Sequence, residues 1–375
     1  MLKVMTIVGT RPELIKMSRV IAEFDQHTQH VLVHTGQNYD YELNQLFFED
    51  LSIRKPDYFL EAAGENATQT IARVIEKSDV VMRQESPDAI MIYGDTNSGL
   101  AVIAAKRRKI PVFHMEAGNR CFEQCVPEEL NRKVIDHLSD INLVLSENAR
   151  RYLIAEGIRP ETIIKTGSHM REVLDFYMPN ILQSDVLQRM ELVTKKFFIV
   201  SVHREENIDS PNNIVNIIET LNALAEQYDI PVIVSTHPRT KKRLDGMELG
   251  ILNPRIEFLK PFGFCDYSKL QMEALCVISD SGTITEEASL LNLPAITIRN
   301  THERPEGMDA GTLIMSGLKK DEVLDAVSVI ISQHDRTHRV MKLVQDYEAG
   351  LVSKQLLRIV LSYVDYVNRT VWSKS

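Results

Sequence analysis

Several protein classes are excluded by what this 375-residue chain lacks. Its 4 cysteines (Cys121, Cys125, Cys265, Cys276) form no CxxC pair, so neither a disulfide framework nor a metal site is expected. Cys121 and Cys125 have the spacing of one helical face, but reduced bystander thiols are the simpler reading. Only 16 glycines and 14 prolines are present, with no low-complexity segment and no internal repeat. Positive charge is short as well. The 43 Lys and Arg stand against 52 Asp and Glu, a net charge of −9, which argues against a nucleic-acid surface. No apolar run is long enough to span a bilayer, and no secretory h-region follows Met1. A cytoplasmic location is expected, with neither nucleic acid nor membrane as partner.

What is present is a globular composition, 44% hydrophobic and 25% charged, with length for two domains. Short apolar stretches at 4–8, 31–34, 89–93, 112–114, 141–144 and 163–166 alternate with amphipathic stretches. The latter, at 12–24, 41–50, 67–83, 98–108, 128–137 and 148–156, predict helices. Strands this apolar must be covered on both faces, which means a parallel α/β sheet. The rhythm breaks at 170–179 and restarts with strands at 197–202, 232–235, 256–258, 277–279 and 295–298. The expected fold is α/β: two Rossmann-like domains facing a cleft, residues 1–168 and 169–358, with a hinge near 167–175. A last helix, 359–375, is expected to cross back onto the first domain.

In such folds ligands sit beyond the carboxyl ends of the strands. Ile278-Ser279-Asp280-Ser281-Gly282-Thr283-Ile284 passes from strand to helix in a turn that leaves helical N–H groups open to a phosphate. Glu287, about a turn later, suits a ribose diol. Taken alone, the same string also describes an ordinary Ser or Asp N-cap. The first strand ends in Gly9-Thr10-Arg11-Pro12-Glu13, which lacks the GxGxxG of a dinucleotide site. It instead offers Arg11 and Lys16, two cations suited to a diphosphate. Asp95 and Glu116 follow two further strands, and Glu128 opens a helix behind Pro127. An N-cap role for Asp95 and a helix-dipole role for Glu128 remain open. Three acids on one rim nevertheless exceed what capping needs, and clustered acids can both remove and return a proton at carbon. His203-Arg204 and His237-Pro238-Arg239 end two strands of the second half and suit phosphate or leaving-group stabilisation. Arg304 adds a cation after the strand at 295–298.

Seven strings occur in one order: Gly-Thr-Arg-Pro-Glu, Gly-Asp-Thr, Glu-Ala-Gly, Pro-Glu-Glu-x-Asn-Arg, His-Arg-Glu-Glu-Asn, Asp-Ser-Gly and Glu-Arg-Pro-Glu. Together they resemble the non-hydrolysing UDP-N-acetylhexosamine 2-epimerase family across residues 1–370. The resemblance implies a glycosyltransferase-B-like fold and elimination of UDP to a 2-acetamidoglycal, followed by re-addition after C2 is reprotonated on the other face. No cofactor and no metal are implied. Asp95, Glu116, Glu128 and His203 fall on catalytic positions. Arg11, Lys16, Gln37, Arg204, Tyr267, Ser281, Gly282, Thr283, Glu287 and Arg304 fall on substrate- or UDP-binding positions. A homodimer and a UDP-N-acetyl amino sugar substrate are also implied. Three departures set this chain apart from commoner members: Asn38-Tyr39-Asp40, Asn119-Arg120-Cys121, and Glu205 in place of a second arginine. They resemble the branch that converts UDP-2-acetamido-2,6-dideoxy-L-talose to UDP-N-acetyl-L-fucosamine for capsule or O-antigen synthesis. The alternatives are a UDP-GlcNAc/UDP-ManNAc epimerase, a retaining UDP-sugar glycosyltransferase and a two-lobed sugar-nucleotide binder.

Overall fold

The computed structural model describes residues 1–37, 48, 50–208, 210–236, 240, 243, 251–335 and 337–374. Two compact units form, Met1–Asp175 with Asp346–Ser375, and Phe176–Gln345. Each is Rossmann-like, a parallel sheet dressed with helices.

The first unit holds seven strands: β1 (Lys3–Val8), β2 (Gln29–His34), β3 (Tyr58–Phe59), β4 (Ala89–Tyr93), β5 (Val112–Ala117), β6 (Ile141–Val144) and β7 (Ile163–Lys165). Their order is β3-β2-β1-β4-β5-β6-β7. Val4, Met5, Ile7 and Val8 of β1 are all buried, as are all five residues of β4. Consecutive rather than alternate burial is what helices on both faces of a sheet demand. Strand order reverses between β1 and β4, so the turns at Gly9–Thr10 and Gly94–Thr96 open at the switch point.

The second unit holds β8 (Phe198–Ser201), β9 (Val232–Ser235), β10 (Ile256–Leu259), β11 (Cys276–Ser279), β12 (Ala295–Thr297) and β13 (Ile314–Met315), ordered β10-β9-β8-β11-β12-β13. Here the reversal falls between β8 and β11. It brings the 202–204 turn beside the 280–283 turn.

The closing helix Val352–Thr370 buries Val352, Leu356, Ile359, Val360, Val364 and Val367 at three- and four-residue steps and packs on helix Arg11–His27. Edge strands β3 and β13 were not expected, because two residues carry no period. The stretch 170–179 lies within a helix, Met170–Gln183, that contains Pro179. The helix expected at 98–108 is a 3-10 turn, Asn97–Ala101, running into Val102–Arg107. The helix expected at 41–50 lies almost wholly outside the described residues. Cys121 and Cys125 share no helical face; they sit in the loop before helix Pro127–Leu138, and none of the 4 cysteines is in a disulfide. No helix among the described residues is long and apolar enough to cross a membrane.

Candidate active site

In the first unit, the turns at the switch point hold one another. A Cβ on Gly9 would lie 2.0 Å from Ser98 Oγ and 2.1 Å from Thr35 Oγ1, so only glycine allows this approach. Thr35 and Ser98 themselves share a hydrogen bond of 2.8 Å. The buried Glu13 carboxylate accepts the Gly9 N–H at 2.5 Å, the Thr10 N–H at 3.2 Å and the Thr96 hydroxyl. Burial pushes its carboxyl up to about 7, against these hydrogen bonds and with the nearby Asp95 charge adding to the rise.

Glu116 carries the clearest mark of a functional residue. It sits where β5 loses register with β6, between Met115 and Ala117, with φ at +62°. A bulge re-aims one side chain, and a left-handed glutamate costs about 1–3 kcal/mol that the surroundings must offset. What the bulge achieves is contact. Glu116 Oε2 lies 2.7 Å from Lys16 Nζ, a pair almost closed to solvent, and also accepts the Tyr93 hydroxyl. The Lys16 ammonium stands 5.5 Å from the Tyr93 ring centre. Asn119 Nδ2 approaches the other oxygen at 3.4 Å.

Asp95 is held from helix Pro127–Leu138. Arg132 Nε donates to its Oδ2 at 2.8 Å, and Asn131 Nδ2 donates to its carbonyl at 2.9 Å. Glu129, buried, takes the other side of Arg132 at 2.9 Å and accepts the N–H groups of Cys121 and Phe122. Burial pushes the Glu129 carboxyl up, but those N–H groups and Arg132 outweigh it, leaving it below the usual range. Asp95 is therefore not a helix cap but one end of an Asp-Arg-Glu chain. Glu128 stands half-buried in the first turn of the same helix. Arg11 opens the first helix, half-buried. Gln37 follows β2, its Oε1 buried with no hydrogen-bond partner among the described residues.

In the second unit, Asp280 organises the turns. Fully buried, it accepts the His203 N–H at 3.1 Å, the Arg204 N–H at 2.9 Å and Asn207 Nδ2 at 3.0 Å, with His203 Nδ1 also 3.1 Å away. Burial raises its carboxyl, but the His203 imidazole and the hydrogen bonds win, and it falls to about 2. Asp280 thus does not cap the helix that follows. Helix Ile284–Leu291 starts after Thr283, which makes no side-chain cap, while the Ser281 and Thr283 hydroxyls share a bond of 3.0 Å.

A Cβ on Gly282 would meet Glu303 Oε1 at 2.2 Å. Glu303 in turn binds Arg204 at 3.3 Å and Arg299 at 2.8 Å. Arg304 is buried and paired with buried Glu286 at 3.0 Å. The Glu287 carboxylate accepts Gln271 Nε2 at 2.7 Å. Gln271 and Tyr267 lie four residues apart on helix Phe264–Glu273, hence on one face. His237, Pro238 and Arg239, and Asn38-Tyr39-Asp40, lie outside the described residues. Among the described residues no His, Cys, Asp or Glu group is arranged to hold a metal ion.

The family model for UDP-N-acetylglucosamine 2-epimerase matches residues 22–361. The chain belongs to the UDP-N-acetylglucosamine 2-epimerase family. It is therefore an isomerase, of the epimerase class. A solved structure of UDP-N-acetylglucosamine 2-epimerase from Rickettsia bellii is 62% identical, covers 100% of both chains and superposes with a TM-score of 0.94. The UDP-N-acetylglucosamine 2-epimerase of Methanocaldococcus jannaschii is 33% identical over 88% of this chain and 93% of that protein. Its structure in complex with UDP-GlcNAc and UDP covers 96% of this chain and 100% of that one, at 31% identity and a TM-score of 0.90. A Pseudomonas aeruginosa relative, UDP-2,3-diacetamido-2,3-dideoxy-D-glucuronate 2-epimerase, is 32% identical over 87% of this chain and 91% of its own length. Epimerases of this family thus differ in sugar.

Sequence reasoning missed Glu13, Glu129, Asn131, Arg132, Asp280 and Glu303 as residues that hold the others. A faint signal existed for two of them: Glu129 and Arg132 stand three apart on a helix, an ion-pair spacing.

Proposed function

We propose that the protein epimerises a UDP-N-acetylhexosamine at C2 without hydrolysis, by anti elimination of UDP to a 2-acetamidoglycal and re-addition. The observation that carries this reading is Glu116, strained at a bulge and set against the Lys16 ammonium. A carboxylate so placed, with Asp95 locked by Arg132 and with Glu128, supplies groups that take a proton from C2 and return one to the opposite face. His203, oriented by Asp280, and the Ser281-Gly282-Thr283 turn serve the diphosphate, with Arg11, Lys16, Arg204 and Arg304 contributing positive charge. Glu287 holds the ribose and Tyr267 lies towards the uracil. The test is incubation with candidate UDP-sugars in D2O. Deuterium at C2 without an added acceptor supports the epimerase; a glycosyltransferase or a simple binder would leave C2 unlabelled.

The favoured substrate is UDP-2-acetamido-2,6-dideoxy-L-talose, giving UDP-N-acetyl-L-fucosamine for capsule or O-antigen synthesis by a cytoplasmic homodimer. Asn119 supports this choice, because it sets a polar group 3.4 Å from Glu116 where commoner members carry leucine. A site built around one pattern of sugar hydroxyls rejects an analogue lacking them strongly. The L-talose substrate should therefore turn over faster than UDP-GlcNAc when the two are followed by NMR. Efficient interconversion of UDP-GlcNAc and UDP-ManNAc would transfer the protein to that alternative and leave the mechanism standing.

Glu287→Ala should weaken UDP binding by about 1–3 kcal/mol, the range of charge-assisted bonds to a diol. Calorimetry showing wild-type affinity would take Glu287 out of the ribose site.

A further inference from the structure

We propose that Glu13 is a positioning residue whose carboxylate ties the turn after β1 to the turn after β4, and so fixes Asp95 relative to Arg11 and Lys16. The proposal rests on the epimerase reading above. Glu13 is only 2% exposed and accepts from both elements: Gly9 and Thr10 N–H on one side, the Thr96 hydroxyl on the other. Thr96 is the residue next to Asp95. The contact is not a general packing device, since Gly9 against Ser98 already closes these two turns, and Thr35 against Ser98 joins a third to them. What Glu13 adds is a buried ionisable acceptor where the Gly9 and Thr10 N–H groups and the Thr96 hydroxyl converge.

Its charge also matters. Asp95 faces it from the turn after β4, and Arg132 in turn holds Asp95. On its own helix, Lys16 is engaged by Glu116. With burial holding its carboxyl near 7, Glu13 exchanges its proton near neutral pH. Ionisation then sets a second negative charge beside Asp95, while protonation leaves the tie to the N–H groups in place. A carboxyl raised from 4.5 to about 7 by folding contributes stability that is complete below about 4.5 and lost as pH rises through about 7.

Three variants test this. Glu13→Ala cuts the tie and should lower kcat about 100-fold, a misplacement effect, with KM changed far less. Thr96→Val removes the hydroxyl alone and should lower kcat in the same direction without altering charge. Glu13→Gln keeps acceptor and shape, so it should restore most of the rate lost in Glu13→Ala while erasing the inflection near neutral pH in kcat. The readout that needs no substrate is thermal unfolding. From pH 5 to 8 the wild type should lose about 5 °C relative to Glu13→Gln. Glu13→Ala at wild-type kcat, or Glu13→Gln with an unaltered pH profile and unfolding curve, overturns the proposal. If instead the wild type exchanges no deuterium into the L-talose or UDP-GlcNAc substrate, the epimerase reading fails, and the unfolding comparison still decides whether Glu13 titrates as stated.

Discussion

Asp95→Asn, Glu116→Gln and Glu128→Gln should each lower turnover by about two orders of magnitude or more, the measure of a lost general acid or base. Each substitution keeps shape and removes the capacity to cycle a proton. The three should differ in stability. Glu116 faces the almost fully buried Lys16 at 2.7 Å, and an amide there takes a counter-charge away from that ammonium. Asp95→Asn loosens Arg132, but Glu129 still holds the other end of the guanidinium. Glu128, half-buried in a first turn, should cost least. The measurement is deuterium incorporation at C2 together with release of UDP. A variant that still eliminates UDP but cannot reprotonate C2 should accumulate the glycal, which would assign the reprotonating acid. A variant exchanging at near-normal rate drops out of the mechanism.

The fold was legible because both sheets are parallel. Strands such as 89–93 are buried on every residue, so they stand out as unbroken apolar runs between amphipathic helices. The edges were not legible, since Tyr58–Phe59 and Ile314–Met315 are too short to show any pattern. At the site, the candidate acids announced themselves by following strands, where an apolar run gives way to Gly-Asp-Thr or Glu-Ala-Gly. The groups that aim them did not. The Asp95–Arg132 bond spans 37 residues, and Asp280 reaches the N–H of His203 across 77. Sequence spacing carries no record of such contacts, because topology alone brings the partners together. The left-handed backbone of Glu116 was hidden for a related reason: the register slip belongs to the pairing of β5 with β6, not to either strand.

Replacing Asp280 should have the largest effect in the second unit. Its carboxylate is the common acceptor for two backbone N–H groups and the Asn207 amide, and it orients His203. Asp280→Ala strips three donors of their acceptor, two part-buried N–H groups and the buried Asn207 amide, and the loss should be about 3–5 kcal/mol at roughly 1–3 kcal/mol per unsatisfied buried donor. UDP affinity should fall with it, since the turn that carries His203 and Arg204 is no longer held. Asp280→Asn keeps the volume and part of the bonding, so it separates charge from packing. The pH dependence supplies the sharper test. Folding lowers this carboxyl from 3.8 to about 2, so its contribution is complete above about 4 and lost as pH falls through about 2. That contribution is about 2 kcal/mol at neutral pH, and Asp280→Asn should lack this acid limb while the wild type shows it. Denaturant unfolding at neutral pH and at pH 2–4, paired with UDP calorimetry, measures both effects. If Asp280→Asn unfolds with the wild-type acid limb and binds UDP as tightly, the buried carboxylate is not what holds His203 in place.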